Sequence, residues 1–368
     1  MSRIGVDLRI LDNGNRAGLG RYAYNVTKEL LSLNSDSYEL IGSFTDPLLD
    51  QANRYRIDLP HHDLDYANQI LSLIGRVNDY RVLFSPFYPI PERRTFAGVL
   101  TVLDLIPLKL PEIFQHTFIY EFYDKFIRHS VKHANHILAI SQCTKNDIVD
   151  LFGVDESRIT VTFLAADPLF LENRHKMPTD VTILGNYNIA VPYILSVCTI
   201  EPRKNLKRTL QAYELLRSRI RQRIGLVLVG GLAWKSNELV EEIRASEYAD
   251  DIVITGYVKD EELPVLYRNA EMFVYPSLYE GFGLPVLEAM ACGVPTVTSN
   301  ISSMPEVGGD AAVYCDPYEI DSIAEALEKV LCDPTLRTNL AKRSVERANS
   351  ITWNKTAVKT REALEAFL

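Results

Sequence analysis

Residues 275–295 read Y-P-S-L-Y-E-G-F-G-L-P-V-L-E-A-M-A-C-G-V-P, and the fold class follows from how that stretch is built. The run Met272–Tyr275 is strand-like and stops at Pro276. A loop with Gly281 and Gly283 comes next, then an apolar helical stretch with Pro285 in its first turn. Gly293 sits where a helix C-terminal cap belongs, and Pro295 lies just beyond. In such a strand-loop-helix the glycines let main chain approach a ligand, and the free N–H groups of the helix start point at it. Glu280 stands before the loop, and Glu288 follows eight positions later, about two helical turns on. A carboxylate accepts from two hydroxyls at once, which suits a ribose or a sugar ring. Alone, the stretch is better explained by packing, with both glutamates solvated.

Working outward, the same alternation recurs. In the second half Tyr193–Val197, Ile224–Val229, Ile252–Thr255, Thr296–Thr298 and Ala312–Tyr314 are strand-like, with helical stretches between them. In the first half Ile4–Asp7, Glu39–Phe44, Val82–Ser85, Gly98–Leu103, His136–Ile140 and Ile159–Thr162 read as strands. Apolar residues three and four apart predict helices over Gly20–Ser32, Phe118–His133 and Thr144–Leu151. Strands separated by helices imply βαβ units, so an α/β chain with parallel sheets is expected. Residues 171–190 turn polar and lose periodicity, which marks a linker. The expected domains are therefore 1–175 and 190–351, each doubly wound, with Thr352–Leu368 as a last amphipathic helix. Such sheets bind ligands at the carboxyl ends of their strands.

The chain has 368 residues, too many for one core at ~100–200 residues per domain. It is 47% hydrophobic and 24% charged, which excludes a disordered, collagenous or coiled-coil chain. The net charge of −9 argues against nucleic acid as a partner, since counterion release needs a surplus of cations. Five widely spaced cysteines without a C-x-x-C read as thiols in a reducing compartment. The N-terminus enters a strand directly, and no run approaches the ~20 apolar residues of a membrane span. A cytoplasmic location is expected.

A second stretch changes the weight of the first. Thr199-Ile200-Glu201-Pro202-Arg203-Lys204-Asn205 follows the first strand of the second half and opens a helix. Cations beside a helix N-terminus oppose its dipole, so packing explains Arg203 and Lys204 poorly, whereas a phosphate partner explains them well.

Together E-P-R-K-N, the G-Y-V of Gly256–Val258, the stretch 275–295 and S-S-M-P-E-V-G-G-D-A-A from Ser302 resemble glycosyltransferase family 4. The resemblance covers essentially the whole chain. It implies a retaining nucleotide-sugar transferase of the GT-B fold, with two Rossmann-like domains facing across a cleft. It also implies that the last helix crosses back to the N-terminal, acceptor-binding domain. By that resemblance Glu280 touches the donor sugar, Glu288 accepts from the ribose hydroxyls, and Gly281, Phe282, Gly283 and Leu284 wrap sugar and diphosphate. Lys204 neutralises the diphosphate with Arg203 helping, while Val258 and Leu263 border the base. The first domain matches through Gly18-Leu19-Gly20-Arg21-Tyr22 and D-L-I-P at Asp104–Pro107. Gly18 and Gly20 would let that loop close over donor phosphate and acceptor, with Asp104 beside the reacting centre. Two positions depart from the pattern: Thr199 stands where an Arg is frequent, and Leu103 where many members have His.

Other signals lead elsewhere less well. Asp63-Leu64-Asp65 is a D-x-D in a polar stretch and not at a strand end, so no metal is expected there. His129, His133 and His136 read as a surface or core-edge cluster, not a zinc site. The expected activity is transfer of a hexose, with GDP-mannose as donor, to a saccharide or lipid-linked saccharide in surface-polysaccharide assembly, with no cofactor. The E-P-R-K-N and D-L-I-P pairing, similar to that of bacterial polysaccharide mannosyltransferases, favours this donor. The alternatives are a UDP-glucose-type transferase of the same fold and a non-catalytic nucleotide-sugar-binding protein. A nicotinamide oxidoreductase lacks the third glycine and the acidic ribose residue. A lipid-linked acceptor would bring the protein to the inner membrane face, through Phe118–His133 if at all.

Overall fold

A computed structural model describes residues 3–12, 18–46, 49, 53–55, 64–87, 90–115, 117–189, 192–231 and 237–368. The chain divides into two compact units, residues up to Leu164 with Thr352–Leu368, and Ala165–Ile351.

The first unit carries a seven-stranded sheet: β1 (Arg3–Asp7), β2 (Tyr38–Ile41), β3 (Asn53–Tyr55), β4 (Tyr80–Ser85), β5 (Ala97–Val102), β6 (His136–Ala139) and β7 (Ile159–Val161). Their order across the sheet is β3-β2-β1-β4-β5-β6-β7, and every pairing is parallel. Strands such as β4 and β5 are apolar on both faces because helices cover both, as all-parallel sheets require. β3 is the strand that periodicity does not reveal, since Asn53-Arg54-Tyr55 is short, polar and at the sheet edge.

The C-terminal helix Trp353–Glu365 lies in this unit against the helix Leu19–Asn34. The buried ring of Trp353 meets Tyr22 at 6.3 Å between centroids. The stretch 118–133 is not one regular helix. It runs as Phe118–Phe122, a π-helical turn Tyr123–Ile127, and Arg128–His133.

The second unit holds six parallel strands: β8 (Tyr193–Val197), β9 (Gly225–Val229), β10 (Ile252–Gly256), β11 (Met272–Tyr275), β12 (Thr296–Ser299) and β13 (Ala312–Cys315). Their order is β10-β9-β8-β11-β12-β13. The chain thus winds to one side from β8 and to the other from β11. These neighbours pair Ile194 with Met272 and Leu195 with Phe273. Connections that leave adjacent strands in opposite directions open a crevice at the carboxyl ends.

The expected linker is a correction. Residues 171–190 are not a free connection, and the boundary falls at Leu164 rather than near 175. The helices Pro168–Glu172 and Asp180–Asn186 pack on the second unit. Phe170 is buried edge-on against Tyr267. Asp180 accepts from Arg268 Nε at 2.9 Å, while Arg268 Nη1 donates to the Asn173 carbonyl at 2.7 Å. Burial would raise the Asp180 carboxyl, but these hydrogen bonds and the Arg268 charge hold it at about 2. Most of the segment's polar residues are exposed, and among them Asp180 is buried as its anchor.

Candidate active site

The site grows from two loops at the switch point of the second sheet. After β8 the chain passes Cys198 and Thr199 into a single 3-10 turn, Pro202–Lys204. Asn205 then takes a left-handed conformation at φ 61° and starts the helix Leu206–Arg219. Its side-chain amide pins this corner by donating to the carbonyls of Pro276 at 3.0 Å and Pro317 at 2.7 Å. After β11 the second loop runs from Pro276 to Gly283, whose φ of 104° only glycine adopts without strain. A Cβ there would also lie 2.3 Å from Met304 Cε. The helix Leu284–Ala291 begins immediately with no side-chain cap; in its first turn Pro285 has no N–H, and Val286 N donates to the Gly283 carbonyl at 3.0 Å.

Glu280 is the hub. Its Oε1 accepts from Lys204 Nζ at 2.6 Å, Ser277 Oγ at 2.7 Å and Tyr275 Oη at 2.8 Å. Arg203 Nη1 lies 2.8 Å from the same oxygen. Burial alone would raise this carboxyl, but the charges of Lys204 and then Arg203 reverse it and hold it at about 2. Glu280 is therefore a fixed anion at neutral pH. Tyr275 is pushed the other way, upward, by burial and by the Glu280 charge.

Lys204 and Arg203 differ in what they hold. Lys204 Nζ donates to the Tyr275 hydroxyl at 2.7 Å as well as to Glu280. Arg203 is drawn into the loop: Nη1 donates to the Tyr279 carbonyl and Nη2 to Glu201 Oε1, both at 2.6 Å. Its own carbonyl accepts from Leu278 N at 3.0 Å. The helper role expected for Arg203 is thus chiefly that of a clamp on residues 278–280. Thr199 is exposed at the strand end.

Glu288 is buried on the helix that follows the glycine loop, and the Tyr267 hydroxyl donates to its Oε2 at 3.2 Å. Tyr267 belongs to the helix Leu263–Asn269, and its hydroxyl also lies 3.4 Å from the Pro285 carbonyl, which ties that helix to Leu284–Ala291; Leu263 and Phe282 are buried. Val258 is buried just past the end of β10. Two hydroxyls complete the loop, from the S-S that opens the motif at Ser302 but to which the sequence assigns no role. Ser302 Oγ donates to the Glu280 carbonyl at 2.7 Å and accepts from the Glu280 N–H at 3.0 Å. Ser303 Oγ reaches the carbonyls of Glu280 at 3.0 Å and Phe282 at 2.8 Å. Side-chain-to-carbonyl clamps of this kind leave no periodic trace in a sequence.

Gly18, Gly20 and Asp104 belong to the first unit. Gly18, at φ 44°, caps the helix Leu19–Asn34, and a Cβ on it would meet nothing within 4 Å. Asp104 follows β5, and its Oδ1 accepts from Ile106 N at 3.0 Å to start a short helical turn, with Leu103 buried beside it. Of the D-x-D, Asp63 lies outside the described residues, and Asp65 is exposed, 4.0 Å from Lys125 Nζ. The rings of His129 and His133 lie tilted at 31° with centroids 4.3 Å apart, whereas His136 bonds Thr160 at 2.8 Å. Among the described residues no group of three or more His, Cys, Asp or Glu is placed to hold a metal ion. Nor is any described helix long and apolar enough to cross a membrane.

The comparisons with known proteins fall on this same geometry. Residues 188–347 match the family described as glycosyl transferases group 1, a span that includes Arg203, Lys204, Glu280 and Glu288. An O-antigen chain mannosyltransferase B of Escherichia coli is 32% identical over 369 residues, covering 93% of this chain and 94% of that protein. The chain belongs to the group 1 glycosyl transferases. The transferase is also 28% identical over 262 residues to the O-antigen chain mannosyltransferase RfbU of Salmonella typhimurium, over 71% of this chain and 67% of that one. Among solved structures, a glycosyltransferase from Rickettsia africae superposes with a TM-score of 0.75 at 15% identity, covering 100% of this chain and 98% of that one. HepE of Anabaena, in complex with UDP and glucose, gives 0.72 at 15% identity with full coverage of both. The transferase therefore has the GT-B fold.

Proposed function

We propose that this transferase moves mannose from GDP-mannose to a hydroxyl of a saccharide or lipid-linked saccharide, with retention at the anomeric carbon, in surface-polysaccharide assembly. The observation that carries the reading is the contact of Lys204 with Glu280, 76 residues apart, at the switch point of the second sheet. The names of the O-antigen mannosyltransferase relatives support the choice of sugar.

In this reading the bond from the anomeric carbon to the diphosphate oxygen breaks and its electron pair leaves with GDP, while the acceptor hydroxyl oxygen bonds to that carbon and its proton passes to the departing diphosphate oxygen. The difficulty is negative charge growing on the leaving diphosphate. Lys204 and the uncapped start of Leu284–Ala291 meet that charge with groups already oriented, which is where preorganised sites gain most. Lys204 is held ready by Glu280 and Tyr275, so no reorientation is needed when phosphate arrives. Glu280, ionised and fixed, orients the sugar hydroxyls, and Glu288 accepts from the ribose. Gly18 and Gly20 serve donor phosphate and acceptor and Asp104 the reaction, as the family resemblance implies. Protein cations take the place of a metal. The enzyme acts at the cytoplasmic face, with peripheral membrane contact if its acceptor is lipid-linked.

Calorimetric titration with GDP-mannose, UDP-glucose and NAD, followed by a transfer assay, tests the donor. Binding of GDP-mannose with formation of a mannosylated product is expected. Tighter binding of UDP-glucose would overturn the donor, and binding without transfer would reduce the protein to a nucleotide-sugar binder.

A further inference from the structure

The first unit contains a cavity of about 520 Å³, and none of the residues lining it belongs to the site described above. One wall is the helix Leu64–Val77, from which Asp65, Asn68, Gln69 and Ser72 line the space. Their spacing of three, four and seven puts all four on a single helical face. That face is polar, with Asp65 and Gln69 exposed and Asn68 and Ser72 half-buried. The opposite wall is the irregular stretch beyond Phe118, which contributes Lys125, Phe126, His129 and Ser130. Its π-helical turn, Tyr123–Ile127, contains Lys125 and Phe126 and turns them onto the same wall as His129 and Ser130. Such turns are uncommon and concentrate at functional sites. Ile90–Arg93, between β4 and β5, closes the end.

The chemistry of the walls narrows the ligand. Asn68 Oδ1 and Ser130 Oγ are buried and have no hydrogen-bond partner in the protein. Leaving such atoms unpaired costs about 1–3 kcal/mol each; Asn68 Oδ1 calls for a donor, and Ser130 Oγ can donate or accept. The charges are nearly balanced and loosely paired, Lys125 Nζ with Asp65 at 4.0 Å and His129 Nε2 with Glu92 at 3.8 Å. Asp65 and Glu92 are matched by Arg93 and Lys125, so the space carries no net charge that would favour an anion or a cation. Amides, carboxylates and a hydroxyl around a half-buried aromatic ring suit hydroxyl groups and the C–H face of a sugar. The volume falls within the ~300–1,000 Å³ of small-ligand sites, which is room for a short oligosaccharide.

We propose that this pocket binds a neutral saccharide segment of the acceptor, at a place separate from the residues that handle the donor. The identity of the ligand as acceptor rests on the transferase reading above; the pocket's preference for a neutral sugar does not. The pocket would then act on acceptor affinity and leave the chemical step alone.

The test uses the full chain and two variants at exposed wall positions, Gln69→Ala and Lys125→Ala, singly and together. Calorimetry is run with neutral pentasaccharides of mannose, glucose and galactose, and separately with GDP-mannose. One pentasaccharide is expected to bind, the double variant to weaken it about tenfold, and GDP-mannose to bind both proteins equally, since one charged hydrogen bond is worth about that factor. In transfer assays KM for a long acceptor should rise by the same factor with kcat unchanged. Failure of all three sugars to bind, equal binding by the double variant, or displacement by inorganic phosphate would overturn the pocket. If a sugar binds through these residues while GDP-mannose does not bind at all, the donor reading has failed and the pocket stands.

Discussion

Both units set an acid against a base at the switch point of a parallel sheet, and they use the pair in opposite ways. In the first unit Asp7 ends β1 and Arg9 follows two residues later, so the pair is local. Arg9 Nε and Nη2 donate to Asp7 Oδ1 at 2.8 Å and Oδ2 at 2.6 Å, and both side chains are 1% exposed. In the second unit Lys204 and Glu280 come from loops after two different strands and meet at 2.6 Å, with side chains 11% and 10% exposed. The first pair is bidentate and sealed from solvent. The second is a point charge sharing one oxygen with three other donors, at the mouth of a crevice. Proximity of opposite charges at a strand end is therefore not itself a site. What separates the two is access, and whether the cation has capacity left for a ligand.

The comparison breaks most visibly at the sealed pair. Arg9→Met strands a buried carboxylate, and loss of one partner of a buried pair costs about 3–5 kcal/mol. The midpoint of urea unfolding of the full chain should fall accordingly, while Asp7→Leu combined with Arg9→Met recovers most of the loss. GDP-mannose binding by the folded fraction should be unchanged. Lys204→Ala should do the reverse. Turnover falls on the scale of ~10²–10³, as for loss of one preorganised group at developing charge, and donor affinity falls with it. Stability changes less, because the Glu280 carboxylate keeps Arg203, Ser277 and Tyr275. Wild-type turnover in Lys204→Ala would mean that the second pair is as structural as the first.

What could be read before the structure follows from the range of the interactions. Strands such as β8, β9 and β11 are continuous apolar runs between turn residues, and local composition is enough to find them. The E-P-R-K-N and glycine-loop motifs were each legible, and their meeting at Glu280 required only that β8 and β11 be neighbours. The polar stretch 171–190 misled for the opposite reason. Asp180 is buried by Arg268, 88 residues on, and a lone Asp in a polar run looks like any linker residue. The clamps from Ser302 and Ser303, and the π-helical turn at Tyr123–Ile127, are set by tertiary packing and have no periodic signature.

Acid sharpens the comparison next. Glu280 titrates at about 2 in the folded protein, below its ordinary 4.5. A carboxyl depressed by folding stabilises the native state above its unfolded value and loses that contribution as pH falls through the folded one. The stabilisation is thus complete above about pH 4.5 and is lost toward pH 2, on the order of 3 kcal/mol in all. Asp180 contributes in the same window, so the difference between wild type and Glu280→Gln isolates the site. The variant should be less stable at neutral pH and should show a shallower fall between pH 4.5 and 2, followed by urea unfolding at each pH. Parallel curves for the two proteins would show that Glu280 does not carry the ion pair in solution.

The smallest expected effect is the response to chelation. A transferase that relied on a bridging divalent cation would need carboxylates at the strand ends beside the diphosphate. Glu280 already faces Lys204 and Arg203, and Glu201 faces Arg203, so a divalent cation there would have to displace them. The D-x-D offers no better purchase, since the exposed Asp65 sits in the first unit opposite Lys125. In the proposed reading the cation that answers the leaving group is Lys204 itself. Transfer from GDP-mannose should accordingly proceed at the same initial rate after exhaustive EDTA treatment. A rate abolished by chelation and restored by manganese or magnesium would overturn the assignment of Lys204 as the neutralising charge. In that event Lys204→Ala should also cost far less than the two to three orders of magnitude expected above, so the two measurements check one another.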